Sequence, residues 1–220
     1  MSRKSPQLFA AALLCTTCHL YAIAQTAPAG QPDMQELRAF ADGGSKAGQD
    51  IKWDPNFRAL MQASFHQHQY FWRDHGQFPS IPDLVETFIG VPEGVTLQDN
   101  RYLTVDGCVP HDCGDRGMVW IDTASQPRTV IFIVPDRVST GLHESGSPMH
   151  LWLFASTHLN WQKLPQPLVE SVGKWFVNYH TTWANYFNLR PTLVTIVQPT
   201  GEMVDLSPAL VGLNGEKPAP

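Results

Sequence analysis

The sequence predicts an α+β fold, an antiparallel β-sheet flanked by α-helices, behind an export signal. Three observations predict it. From Gly94 to Thr157, short apolar runs, several of them alternating, are separated by turn signals such as "QDN" and "DTASQPR". On either side, around 54–71 and 168–187, apolar residues recur at three-to-four spacing. The first 24 residues have the three-part layout of a secretory signal peptide.

That signal places Arg3 and Lys4 before an apolar run from Leu8 to Leu14, then Ala22-Ile23-Ala24 ahead of Gln25. The run falls far short of the roughly 20 residues that span a bilayer. Cys15 and Cys18 each lack the small preceding residue of a lipoprotein signal. Cleavage near Ala24 is expected, giving a periplasmic protein, with secretion left open. Residues 25–53 read as a flexible segment rich in Gln, Ala, Gly and Pro, with "DGGSKAGQD" as a linker. Within it, Asp33 and Glu36 form a capping-box pattern that predicts a short helix ahead of Leu37 and Phe40.

A single domain is expected over 54–213, followed by a tail at 214–220. Asp54 and Pro55 open a helix whose apolar positions are Phe57, Leu60, Met61 and Phe65, continuing to His68 and Phe71. "GQFPSIPD" ends it. Val95 and Leu97, then Leu103 and Val105 between Tyr102, Thr104 and Asp106, predict a hairpin. "MVWI", "TVIFIV" and "MHLWLFAST" predict the next strands, an antiparallel meander with one face under a helix and the Met118, Ile131 and Leu151 regions adjacent. From Pro167, the residues Leu168, Val172, Trp175, Phe176, Tyr179, Trp183 and Phe187 mark a helix with an aromatic core face. "LVTIVQPTGEMVDLS" closes the domain as a hairpin.

Removing the signal takes Lys plus Arg from 15 to 13 against 20 Asp plus Glu, so the net charge moves from -5 to -7. Such a surface repels nucleic acid and anionic membranes and favours a basic partner, besides aiding solubility. A homo-oligomer is compatible with everything in the sequence. No cofactor is indicated: there is no phosphate-cradling glycine loop, no dinucleotide fingerprint and no G-x-S-x-G elbow. "HESGSPMH" lacks the spacing of a zinc-binding helix, and on a helix His66 and His68 would not share a face. A triad assembled in space stays open, so a hydrolase is the third function class considered.

The stretch "GCVPHDCG" holds the only two cysteines of the mature chain, Cys108 and Cys113. An even pair in an exported protein reads as a disulfide. Zinc ligation by Cys108, His111 and Cys113 is disfavoured by the oxidising compartment and by the lack of a second ligand cluster. A bond closing so short a loop stabilises by only ~2 kcal/mol on the loop-entropy estimate, so it shapes the loop more than it staples the fold. Two uses stay open for His111: capping local carbonyls in a tied turn, or projecting from a stiff loop into a partner's cleft.

"CVPHDCG" resembles the Cys-x-Pro-His-Asp-Cys-Gly loop of the inhibitor of vertebrate lysozyme family, Ivy. "FRALMQ" and "QFPSIPD" are similar to that family's opening helix and its exit, and "GVPEGVTLQDNRYLTVDG", "GMVWID", "TVIFIV" and "LWLFAS" to its strands, so the resemblance covers roughly 55–157. The aromatic helix and closing hairpin then count as additions to an Ivy-like fold. The resemblance implies an exported, non-enzymatic inhibitor of c-type lysozyme that protects Gram-negative bacteria from host defence. It implies that Val109, Pro110, His111 and Asp112 form the lysozyme-binding loop, with His111 between the two catalytic carboxyl groups. Pro110 stiffens the loop, Asp112 orients the ring or ties the loop, and Cys108 with Cys113 closes it. Val109 departs from the lysine that the family often carries there. The alternatives are control of the cell's own lytic transglycosylases, or a periplasmic binding or structural module on the same scaffold.

Overall fold

The computed structural model describes residues 32–137, 149–183 and 191–213, with side chains in the long helix described through residue 177. The expected α+β arrangement is present. Among these residues, seven strands lie side by side in sequence order: β1 Val91–Gln98, β2 Tyr102–Val109, β3 Asp112–Asp122, β4 Thr129–Arg137, β5 Met149–Ala155, β6 Pro191–Val197 and β7 Met203–Leu206. Four helices accompany them: α1 Met34–Arg38, α2 Pro55–Ser64, α3 Ile81–Phe88 and α4 Gln166–Trp183. The Met118, Ile131 and Leu151 regions are neighbours, on β3, β4 and β5.

The sheet is not antiparallel throughout. β5 and β6 pair in parallel, because α4 carries the chain back across the sheet before β6 begins. Parallel neighbours need such a crossover, whereas a hairpin cannot join them. Nor is only one face covered. Val105, Val119, Phe132, Val134 and Phe154 join one buried cluster with α1, α2 and α3. Met118, Trp120, Ile131, Ile133, Leu151 and Leu153 join another with Leu168, Val172, Trp175 and Phe176 of α4. The unbroken apolar run Val130–Val134 already demanded this, since alternate residues of one strand face opposite sides.

The segment expected to be flexible up to residue 53 is packed from Asp33 onward. Asp33 caps α1 as foreseen, its Oδ1 accepting from the Gln35 amide at 2.8 Å. Leu37, Phe40 and Ile51 are buried against the sheet, and the Asp42 amide donates to the Val95 carbonyl at 2.9 Å. Apolar side chains spaced among the glycines anchor what composition alone marks as linker. Side chains of the stripe beyond residue 177, and residues 184–190, lie outside the described residues.

The first long helix stops at Ser64, short of the expected Phe71. Residues 65–70 are neither helix nor strand, with Phe65, Gln67 and Gln69 buried and His66, His68 and Tyr70 exposed. Two glutamines enforce this. Gln67 donates to the Ala155 carbonyl at 2.9 Å, while Gln69 accepts from the Phe71 and Trp72 amides at 3.1 and 3.0 Å. Side-chain amides thus supply the partners that a continued helix would have given the backbone. His66 and His68 consequently share a face, which a helix would have denied them.

"GQFPSIPD" does more than end a helix, because it starts α3. Ser80 and Asp83 form a reciprocal capping box, and Pro82 fits the first turn, which needs no amide donor there. Ile81, Leu84, Val85 and Phe88 are buried, fixing the C-terminal end of α3 beside the β2–β3 hairpin.

Candidate functional site: the Cys108–Cys113 hairpin

The hairpin rests on close backbone approaches that only glycine permits. A Cβ at Gly117 would lie 2.8 Å from Cβ of Phe88, and one at Gly107 would lie 2.6 Å from the Val91 carbonyl oxygen. A Cβ at Gly90 would meet Cδ of Pro110 at 2.6 Å. Each contact is shorter than carbon or oxygen can tolerate, so the end of α3 and the start of β1 seat directly on the hairpin. Pro110 is thereby held against Gly90 at the root of the turn.

Pairing runs regularly from Tyr102↔Asp122 to Cys108↔Arg116, then jumps to Val109↔Asp112. Residues 113–115 of β3 therefore have no counterpart on β2, and the strand bulges. The Cys108–Cys113 disulfide crosses this bulge with a Cα–Cα distance of 4.8 Å. Pro110 and His111 are left as a two-residue apex. His111 has φ 66°, in the left-handed region that non-glycine residues seldom enter. Such backbone geometry persists where the surroundings over-determine it, and here the disulfide, the bulge and Pro110 all constrain the turn.

The four loop residues differ in surroundings. Val109 is half-buried against the cluster shared with α1, α2 and α3, while Pro110, His111 and Asp112 are exposed. Asp112 Oδ1 accepts from the Gly114 amide at 3.2 Å, tying the loop locally. Beneath the disulfide, Arg116 is 3% exposed and its guanidinium pairs with Glu93, with an Asp106 carboxylate oxygen 4.0 Å from it. Burial pushes the Asp106 carboxyl up to about 6, and the nearby Asp42 charge adds to the effect. A backbone hydrogen bond to the carboxylate acts in the opposite sense. Sequence reasoning overlooked Arg116 and Glu93; the signal was an arginine set between Asp115 and Gly117 just past the second cysteine.

Glu93, Cys108 and Cys113 form the one group of three metal-ligating residues among the described residues. Both sulfurs are spent in the disulfide and the carboxylate pairs with Arg116, so this group is not a metal site. His111 is not part of it. A second constellation resembles a triad only in composition. His150 Nε2 lies 2.7 Å from Thr195 Oγ1, which donates to Asp205 Oδ1 at 2.5 Å. In a triad the imidazole stands between hydroxyl and carboxylate. Here the hydroxyl stands between them and is 2% exposed, so it is no nucleophile.

A separate cleft of about 380 Å³ lies at the opposite end of the sheet, among His66, His68, Tyr70, Trp152, Phe154 and Met203. Among the described residues, no helix is long and apolar enough to cross a membrane.

Comparison with known families gives one similarity for this hairpin. Residues 79–176 match the family described as inhibitor of vertebrate lysozyme, Ivy. The chain carries a segment similar to that family. It contains α3, the hairpin and β1–β5, and runs well into α4, so part of the helix read as an addition falls inside the match. The segment before residue 79, including α1 and α2, lies outside it. No curated protein and no solved structure matches the chain.

Proposed function

We propose that the protein is an exported inhibitor of c-type lysozyme, acting in the periplasm, and that the hairpin enters the enzyme's active-site cleft. The observation that carries this reading is His111. It stands exposed at the apex of a disulfide-closed turn, within the segment similar to Ivy, on a base that leaves no room for a Cβ at Gly90, Gly107 or Gly117.

The chemistry follows from the target. A glycosidase of this kind sets a protonated and an ionised carboxyl group on either side of the scissile bond. An imidazole between them can donate to one and accept from the other, or donate to both when protonated. Substrate is then excluded. Because the turn is already ordered, little conformational entropy is lost on insertion. Asp112, bonded to the Gly114 amide, serves the loop's shape and leaves the ring of His111 to the partner. The net charge of -5, or -7 without the signal, draws a basic enzyme toward the acidic protein.

The test is the inhibition constant of wild type and His111→Ala against a purified c-type lysozyme, alongside their melting curves. Loss of bonds to two desolvated carboxyl groups should cost on the order of 2 kcal/mol, about thirtyfold in affinity. An exposed side chain should leave stability within about 0.5 kcal/mol. Equal inhibition by both proteins would rule out the histidine plug.

A further inference from the structure

We propose that Lys52 and Trp53 extend the binding face beyond the hairpin, adding a permanent cation and an exposed indole to the contact with the enzyme's acidic cleft. The inference rests on the hairpin being the plug, and it concerns residues outside the segment 79–176 that matches the family.

Trp53 closes a 3-10 turn, Gly48–Trp53, whose anchor in the core is Ile51. Ile51 is fully buried while Trp53 is 63% exposed, so the indole is not what holds the turn in place. It is nonetheless held. Lys52 Nζ lies 4.8 Å from its ring centroid and Arg58 Cζ 5.2 Å from it. Arg58 is itself fixed by the Lys52 carbonyl at 3.1 Å and Glu86 at 3.5 Å. An indole braced by two cations and left open to solvent is preorganised for a partner, and tryptophan is prominent among residues that dominate binding energy.

The indole is also in the right place. Lys52 Nζ donates to the carbonyl of Gly90, the residue against which Pro110 packs. Val91, 42% exposed, follows Gly90 and pairs with Cys108. A continuous surface therefore runs from Trp53 through Lys52, Val91 and Pro110 to His111. The charge pattern selects the occupant. Between Val109 and Asp112 the permanent charge is the negative one of Asp112, so the apex alone does not favour an acidic cleft. Lys52 supplies the missing positive charge, and among the described residues its ammonium contacts a carbonyl and a ring rather than a carboxylate. A basic enzyme whose cleft is acidic fits both the overall charge of this protein and this local exception to it.

The experiment measures association, dissociation and inhibition with a purified basic c-type lysozyme, using full-length mature protein. Trp53→Ala should weaken inhibition by about tenfold, chiefly through faster dissociation. Lys52→Gln should weaken it several-fold, and Lys52→Arg should restore it. Melting temperatures of all three should match wild type. If Trp53→Ala and Lys52→Gln inhibit as well as wild type while His111→Ala fails, the extended face is wrong and the plug stands. If Lys52→Arg fails along with Lys52→Gln, the charge argument is wrong. If wild type and His111→Ala are equally inactive, the plug and the extended face fall together.

Discussion

At the end of the sheet where β2 turns into β3, His111 stands exposed on a turn whose backbone is fixed and whose side chain is open to a partner. At the same end, two strands beyond β3, His150 is the second residue of β5, in different surroundings. Its ring stacks on Trp152 at 4.1 Å and its Nε2 meets Thr195. The hydroxyl proton of Thr195 is committed to Asp205, so Nε2 must carry the other proton and donate. The tautomer of His150 is thus set by a carboxylate it does not touch. Burial holds its pKa below the usual histidine range, against the pull of Asp205. Opposite it on β4, burial pushes the Asp136 carboxyl up to about 6, with Asp115 adding to the effect and a hydrogen bond from Trp152 opposing it. One histidine is presented and the other is built in. The same residue type stands open to solvent where backbone constraint replaces side-chain partners, and serves architecture where partners satisfy it.

The contrast can be broken most sharply from the hairpin side. Gly90→Ala should force Pro110 away from the end of α3. Overpacking of this kind costs about 1–3 kcal/mol, and inhibition should fall with it because the apex moves. Unchanged inhibition in a folded variant would mean that the seat on Gly90 does not position the loop.

The next effect is on the corner. Thr195→Val leaves His150 and Asp205 without their shared partner, and should cost about 1–3 kcal/mol of stability while leaving inhibition intact. Chemical denaturation and an inhibition assay on the same preparation would check it, and a loss of inhibition would merge the two regions that the structure separates. Reduction of Cys108–Cys113 should act in the opposite proportion. Only ~2 kcal/mol of stability depends on so short a loop. Affinity should drop through lost preorganisation, as read by inhibition before and after a mild thiol reductant.

The smallest effect is a pH dependence. Asp136 titrates at about 6 in the folded state against 3.8 ordinarily, so the folded protein binds more protons between those values. Its contribution to stability therefore falls as pH rises from about 4 to about 6, then levels off. Asp136→Asn should raise the melting temperature at pH 7.5 and lose that advantage near pH 4. His150 has the opposite sign, its contribution being lost as pH falls below the ordinary 6.5. A variant that gains nothing at pH 7.5 would show that the Asp136 carboxylate is well solvated.

The amino-acid sequence by itself determined the strands, the capped starts of α1 and α2, the pairing of Cys108 with Cys113 and the hairpin's family resemblance. All of these are local. Alternation, capping chemistry and a fixed run of seven residues act within a few positions of one another. Where α2 ends was not legible, because Gln67 and Gln69 complete their hydrogen bonds with Ala155, Trp72 and Pro79, and only the packed chain brings these together. The capping box of α3 was legible in principle, but two prolines disguised it. Tertiary structure alone decided that the glycine-rich N-terminal segment packs, that β6 runs parallel to β5, and that Gly90 seats Pro110. It also buried Arg116 beneath the disulfide and brought Lys52 to the carbonyl of Gly90 across 38 residues of sequence. Such contacts depend on which surfaces meet once the core is closed, and no periodicity along the chain records that.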